Sequence, residues 1–476
     1  WVCIDHYREN YQAKAAQAFR DTVKALGGSF DENVGRVEMT LRSTLQAEQF
    51  YMALEKARSV YELMIWLTWK ETTYNDFRQL RDTLLKTNVG VLELRCNIER
   101  STTIDILNRS KRYDPIIDII GHPSIQSFVF TSAPFAFFKR SNLLSRNNNF
   151  SHLRYLEIDL VALDAVGPNL KCLVANASQL TSMTLFIYWE MLTRVYNAIA
   201  EHQTCPVTFK HHKEVAMRIL PPTEESRQSK VALQDLAHLF RVYGQHIEAI
   251  NLTWRAFDDY ALEALAEAAQ SGSGLREFLM EDVYRRLGDE CIKNIVSIIA
   301  RSEVRDLFID LKDEEERVVI LESIPWKHIR KLKVRLEREN QVIRVMKALV
   351  DSMEKVSERV QLEEFAIVCA STSDSMSVAE EELLRTFVSS ASLKHLTLNI
   401  SMALEQMLSV TKSIDVMRLQ HFTLRTQDIA STDVQSILDS LPHATNLETI
   451  HLLNASITEE QVEQMKTKEI SLLPHD

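Results

Sequence analysis

The chain of 476 residues is 45% apolar and 25% charged, a composition typical of folded proteins with a large buried core. Its net charge of −11 argues against a nucleic-acid partner, because binding to phosphates depends on a surplus of lysine and arginine. Only 10 residues are glycine, which disfavours phosphate-binding loops, and the absence of a run of 18 apolar residues argues against a membrane span.

The first predicted element is a helix over residues 11–26, which precedes the first predicted strand. We interpret residues 1–30 as an N-terminal helical cap. Because the chain begins with Trp1 rather than methionine, we also interpret it as part of a larger regulatory protein.

A pattern of the form apolar-x-x-apolar-x-apolar then recurs along the chain, with a mean spacing of about 29.5 residues. The alternation at its fourth and sixth positions predicts a short strand with one buried face. Copies begin at Val34, Val60, Val89, Ile125, Leu153, Leu180, Ile247, Leu275, Val304, Ile329, Leu362, Leu393, Leu419 and Leu447, with a weaker copy at Val215.

Between the predicted strands the apolar period becomes that of a helix. Leu262, Leu265, Ala266 and Ala269 form one apolar stripe, and segments 292–299, 384–391 and 434–441 repeat the spacing. Parallel strands need a crossover of this length, and a helix supplies it. The predicted unit is therefore strand, loop, helix and loop, and stacked units share a core that one unit could not bury alone.

The last segment, residues 457–476, is predicted to be a C-terminal cap. Thr458 and Gln461 have the spacing of a capping box that opens a final helix. The sequence SLLP at 471–474 predicts a closing strand. Between the two caps, residues 31–456 are predicted to form about fifteen repeats of 25–36 residues.

The core of the repeat stands as LKHLTLNI from Leu393, LQHFTLRT from Leu419, LREFLM from Leu275 and IRKLKV from Ile329. These segments resemble the leucine-rich repeat family, and the period with a full helix is closest to its ribonuclease-inhibitor-like class and to divergent repeats of fungal proteins. The resemblance implies an α/β solenoid in the form of a horseshoe. A parallel β-sheet would line its concave face and α-helices its convex face. It also implies protein recognition as the usual function.

The chain departs from the family at the position three residues after the sixth. Repeats of the family usually carry Asn or Cys there, in a ladder that ties neighbouring turns together. The residues at this position here include Arg255, Val283, Ser401, Gln427 and Ala455. That ladder is therefore absent from these repeats.

In such a sheet, positions three, five and seven of each unit face the concave side. On three successive strands these are Glu277 and Glu281, then Asp306 and Asp310, then Lys331, Lys333 and Arg335. Acidic strands then lie about 4.8 Å from a basic one. One interpretation is a ladder of solvated ion pairs worth about 0–1 kcal/mol each, and the other is a charge-patterned docking surface for a partner.

Aromatic and histidine side chains extend this candidate surface. Trp66 and Phe308 are predicted to face the same side, either as interface anchors or as packing residues. His395 and His421 hold the same position on consecutive strands, and Arg425 follows on the second strand. A metal site or pH sensor is one hypothesis for the histidines, but ordinary surface histidines are the favoured interpretation.

We find no nucleotide, zinc or calcium motif, and the six cysteines are too dispersed to form a CxxC pair. The sequence therefore predicts a protein that is not an enzyme and has no cofactor or metal. We predict a protein-binding scaffold or sensor module in the cytoplasm or nucleus, with a protein partner and no nucleic acid or membrane. Two alternatives stay open: a regulator of an enzyme, such as a GTPase activator or inhibitor, and the substrate-receptor part of a ubiquitin-ligase adaptor.

Overall fold

The structure, a computed structural model, divides into two compact units. The first contains residues 1–213 and 217–235, and the second contains residues 214–216 and 236–476. The structure describes residues 4–57, 59–69, 73–96, 114–131, 150–159, 166–187, 192–211, 215–221, 236–253, 259–270, 274–338, 341–356, 360–370, 376–414, 418–441 and 446–475.

Strands and helices alternate along the first unit. The strands are β1 (Ser29–Asp31), β2 (Arg36–Leu41), β3 (Glu62–Leu67), β4 (Val91–Cys96), β5 (Ser127–Thr131), β6 (Tyr155–Asp159), β7 (Ser182–Phe186) and β8 (Val207–His211), and the division between units falls within β9 (Val215–Ile219). The helices are α1 (Ile4–Ala25), α2 (Thr44–Leu54), α3 (Tyr74–Leu84), α4 (Asp114–Ile120), α5 (Val166–Asn176) and α6 (Leu192–Ala200).

Strands β2 to β8 pair in parallel in chain order, as the repeat pattern predicts. The repeat pattern in the sequence did not predict two of the strands, β1 and β8. The short β1 pairs antiparallel with β2, so it lies outside the repeat. Strand β8 buries Val207 and Phe209, but Thr204 occupies the first position of its unit, where the pattern requires an apolar residue.

The second unit repeats the alternation more regularly. Its strands are β10 (Ile247–Thr253), β11 (Glu277–Val283), β12 (Asp306–Leu311), β13 (Lys331–Leu336), β14 (Glu364–Cys369), β15 (His395–Asn399), β16 (His421–Ile429), β17 (Thr449–Ala455) and β18 (Ser471–His475). Its helices are α7 (Leu236–Tyr243), α8 (Asp259–Gln270), α9 (Asp289–Arg301), α10 (Glu314–Glu322), α11 (Val342–Glu354), α12 (Val378–Ser390), α13 (Leu404–Ser413), α14 (Ser431–Ser440) and α15 (Glu459–Lys466). Strands β10 to β18 are parallel neighbours in chain order.

The first, fourth and sixth positions of the repeat form the core. Leu393, Leu396 and Leu398 are at most 3% exposed, and the same three positions are buried in the other units of this half of the chain. Strand and helix side chains share that core, since the rings of Phe365 on β14 and Phe387 on α12 lie 4.5 Å apart. Among the described residues, two first-position residues differ, since Val34 is 51% exposed and Thr204 is also exposed.

Backbone hydrogen bonds at the second position tie neighbouring repeats together. The N–H of Arg305 donates to the carbonyl of Arg276 at 2.7 Å, and the N–H of Arg330 donates to the carbonyl of Arg305 at 2.8 Å. The series continues through Glu363, Lys394, Gln420 and Glu448. Because these bonds use backbone atoms, almost any side chain can occupy the position.

A second set of ties replaces the missing Asn or Cys ladder. In several helices the third residue is buried and polar. Its side chain forms a hydrogen bond with the previous repeat, either with the loop before the helix of that repeat or with the first residue of that helix. Gln406 donates from Nε2 to the carbonyl of Met376 at 2.6 Å, and Gln461 donates to the carbonyl of Ser431 at 2.6 Å. Glu316 accepts hydrogen bonds from the backbone N–H groups of Leu287 and Gly288.

Helices lie near both ends of the described chain, as predicted, but one of them begins earlier than predicted. Helix α1 ends at Ala25, close to the predicted end, but it begins at Ile4. The capping box of α15 is present, with the Thr458 N–H 3.0 Å from Gln461 Oε1, and the predicted closing strand is β18.

The structure thus confirms an α/β fold in which mostly parallel strands alternate with helices. Membership of the leucine-rich repeat family, the horseshoe curvature and the boundaries of the caps and repeats stay predictions. None of the helices that the structure describes has the length and apolar character to cross a lipid bilayer.

Candidate functional site

One face of each strand in the second unit stays accessible, because the alternate residues of the strand turn into the core. In β12, Leu307, Ile309 and Leu311 are buried, whereas Asp306, Phe308 and Asp310 are half-buried. We call the half-buried side of these strands the open face. It carries the third, fifth and seventh positions, which are the positions that the sequence assigned to recognition.

The strand register brings six titratable side chains into one row on the open face. The paired residues on β11 to β16 are, in order, Glu277, Asp306, Lys331, Glu364, His395 and His421. We call them the third-position row. Five of these residues were predicted from the sequence to be site residues, but Glu364 was not, although it occupies the third position of the unit that begins at Leu362.

Lys331 lies between two carboxylates in this row. Its Nζ is 3.7 Å from Asp306 Oδ2 and 3.7 Å from Glu364 Oε2. Partial burial raises the pKa of Asp306, and the ammonium group of Lys331 opposes that rise without cancelling it. The charges of this row are therefore balanced mainly across strands rather than within one strand.

Arg335 has two acidic neighbours on the open face. It lies 3.4 Å from Asp310 and 3.8 Å from Asp282. A bulge after Met280 places Asp282, whose φ is +53°, where its N–H donates to Asp310 Oδ2 at 3.2 Å. Glu281 was predicted from the sequence to be a site residue of this strand, but Asp282 was not. A bulge adds one residue to the strand, and simple alternation of buried and exposed positions does not predict it.

The fifth position brings an aromatic ring and a cation together. Lys333 Nζ lies 4.7 Å from the centroid of the Phe308 ring. In the first unit, Lys210 Nζ lies 5.1 Å from the centroid of the Phe186 ring in the same cross-strand manner. Trp66 also belongs to the first unit.

The predicted histidine pair forms a stacked contact. The rings of His395 and His421 have centroids 4.5 Å apart and an interplanar angle of 30°. Burial, and then the neighbouring His421, lower the pKa of His395. Arg425 lies further along β16, where its Nη1 donates to Asn399 Oδ1 at 3.0 Å.

The described part of the chain contains no group of three His, Cys, Asp or Glu side chains placed to hold a metal ion. The arrangement on the open face instead offers charged, aromatic and hydrogen-bonding groups at fixed spacings. Chemically, such a surface can select a partner by charge and shape.

Comparison with known proteins assigns this chain to no family. No protein-family model matches the sequence, and no curated protein matches it. A chain from the crystal structure of the Rad7 and Elc1 complex in yeast aligns with a TM-score of 0.41 and 13% identity, over 99% of this chain and 94% of that chain. A protein from Bacteroides fragilis aligns with a TM-score of 0.25 and 10% identity, over 63% of this chain and 66% of that chain. At this level of similarity, neither structure identifies a family or a function.

Proposed function

We propose that the chain is a non-catalytic scaffold that binds a protein partner through the open face of its strands. The observation that carries the proposal is the third-position row, which holds charged and titratable side chains in register on six consecutive strands. Backbone hydrogen bonds at the second position hold those strands together. A surface that is already ordered loses little conformational entropy when a partner binds.

The charge pattern suits recognition of a protein. Asp306, Lys331 and Glu364 alternate in sign along the row, and the next row places Phe308 and Lys333 beside them. A partner with the complementary charge pattern binds faster and more specifically, whereas a partner that places like charges opposite this row is rejected. The half-buried ring of Phe308 adds the type of group that often anchors an interface.

We further propose that the repeats belong to the leucine-rich repeat class. Support comes from the spacing of the buried first, fourth and sixth positions, with Leu393, Leu396 and Leu398 as the clearest example, and from the parallel strand–helix alternation. This assignment agrees with a binding function, since such arrays usually recognise proteins.

Site-specific photo-crosslinking tests the binding face. A benzophenone amino acid would replace Thr397 or Thr423, which are paired on neighbouring strands of the open face, or Glu382, which is exposed on helix α12. We expect the same protein to crosslink from Thr397 and Thr423 but not from Glu382, and to bind the purified chain. Crosslinks to that protein from Glu382 alone would exclude the open face as the binding surface.

A further inference from the structure

An exposed indole lies in a shallow groove of the first unit. Trp66 on β3 is 48% exposed, which is unusual for a side chain of this size. The groove has a volume of about 150 Å³ and is lined by Glu38, Met39, Thr40, Met64, Ile65, Trp66, Glu93 and Arg95. These residues come from three adjacent strands, β2, β3 and β4.

The strand register gives the groove its layout. Thr40, Trp66 and Arg95 pair in one row, and Glu38, Met64 and Glu93 pair in the row before it. Since neighbouring strands lie about 4.8 Å apart, the two glutamates flank Met64 at a distance of roughly 10 Å from each other. The indole therefore has a thioether beside it and a carboxylate on each side of that thioether.

Two other aromatic rings on strands of this chain each have a lysine of the neighbouring strand over them. Phe308 has Lys333 of the next strand over its ring, and Phe186 has Lys210 of the next strand over its ring. At Trp66 the residue on the next strand is Arg95, but Arg95 pairs with Glu93 of its own strand at 2.5 Å. Within the ranges that the structure describes, no cation of the chain lies over the indole of Trp66.

The nearby carboxylate of Glu38 is also available. Glu38 is exposed, and it forms no ion pair with any other residue that the structure describes. The closest cation on its strand, Arg36, is bound to Glu62 at 2.5 Å. The groove thus combines the aromatic ring that binds cations most strongly with an exposed carboxylate whose neighbouring cation, Arg36, is bound to another glutamate.

We propose that this groove binds an arginine side chain of the protein partner. The guanidinium stacks on the Trp66 indole and donates hydrogen bonds to the Glu38 carboxylate. Arginine fits better than lysine, because its planar group stacks on an aromatic face while its N–H groups bind a carboxylate. This inference rests on the proposed function, since it assigns one chemical contact to the binding of a protein.

The test uses the full chain labelled with 5-fluorotryptophan, and substitution Trp66→Phe identifies the Trp66 signal by its loss. Acetyl-Gly-Arg-Gly-amide is titrated while the fluorine spectrum is recorded. The counterparts with leucine and with glutamate in place of arginine serve as matched probes. We expect the arginine peptide to shift the Trp66 signal saturably and to leave the other tryptophan signals unchanged.

Two variants separate the carboxylate's role from a general loss of charge. Glu38→Gln is expected to weaken binding of the arginine peptide roughly two- to five-fold. Glu281→Gln, which removes an open-face carboxylate of the second unit, is expected to leave that binding unchanged. Circular dichroism checks that each variant is folded.

Three results would overturn the inference: no shift with the arginine peptide, an equal shift with the leucine peptide, or a larger shift with a short oligothymidylate. The last two would indicate an apolar occupant or a nucleobase. Crosslinking of a partner from Thr397 provides the separate readout. If it persists while the peptide test fails, only the arginine site is wrong; if it fails too, the proposed function is wrong.

Discussion

Single residues of the second unit differ sharply in how their charge is accommodated. Arg317 on α10 is completely buried, and its guanidinium donates to the carbonyl of Leu311 and to Gln341 Oε1. Burial lowers the pKa of Arg317, whereas partial burial raises the pKa of Asp310 on the adjacent strand. Both shifts reflect the cost of removing a charge from water. These environments could not be read from the sequence, because a charged residue at a helical position is usually exposed.

His395 makes the stability of the fold depend on pH. Burial and the stacked His421 lower its pKa, with a smaller opposing effect from Glu364. A lowered pKa means that the folded state disfavours protonation, so the contribution of His395 is present above its unfolded pKa of about 6.5 and is lost as the pH falls through the lower folded pKa. We therefore expect the urea concentration at the unfolding midpoint to decrease as the pH is lowered from about 7.5 to about 5.5.

The variant His395→Gln isolates this contribution, since glutamine does not titrate. We expect the fall in the urea midpoint to be smaller in this variant than in the unmodified chain. His451→Gln, outside the stacked pair, is the matched control. An unchanged fall in His395→Gln would show that the stacked ring does not disfavour protonation.

At the scale of the element, the third residue of some helices does two tasks. Its side chain accepts a hydrogen bond from the backbone N–H of the residue before the helix, and it also reaches back to the previous repeat. Gln406 shows both, since Oε1 accepts from the N–H of Ala403 at 3.0 Å while Nε2 donates to the carbonyl of Met376. The capping part was predictable from sequence at Thr458 and Gln461. The tie to the previous repeat was not, because it depends on which loop packs against the helix start.

Removal of one such tie should destabilise the repeats on both sides of it. We expect Gln406→Ala to lower the free energy of unfolding by about 1–3 kcal/mol, because the carbonyl of the buried residue Met376 and the N–H of Ala403 lose their hydrogen-bond partner. Urea denaturation followed by circular dichroism measures the change. The adjacent exposed substitution Glu405→Ala should have a much smaller effect, and equal losses in both variants would argue against an inter-repeat tie.

At the scale of the whole molecule, two compact units each carry parallel strands with one accessible side. The second unit's open face is charged, with Asp306 and Asp310 beside the basic strand β13. These carboxylates already pair with Lys331 and Arg335, as the ion-pair interpretation predicted. A docking role also requires that a partner protein recognises this charge pattern, which a binding measurement tests.

Charge reversal on β12 tests that docking role. In the variant Asp306→Lys with Asp310→Lys, two lysines face Lys331 and Arg335, so the alternation of charge between β12 and β13 is lost. We expect affinity for the crosslinked partner to fall at least about tenfold, since like charges across an interface cost several kcal/mol. Calorimetric titration with the purified partner gives the affinity.

The matched variant Glu381→Lys with Glu382→Lys changes the net charge equally but on helix α12. It should bind the partner with nearly normal affinity, and both variants should keep their circular dichroism spectra. Equal affinity of the β12 variant and the unmodified chain would leave the charges of β12 as a structural ion-pair network.

The amino-acid sequence by itself determined the repeating unit of this protein, because burial imposes a period of two on strands and a period close to 3.6 on helices. It therefore predicted the strands from Leu275 to Leu447, the buried helix stripes and the side of each strand that faces solvent. Only the tertiary structure decided which side chains meet across strands. The pairing of Lys331 with Glu364, the bulge that brings in Asp282 and the pairing of Arg95 with Glu93 all depend on register and side-chain direction, which a single strand does not encode.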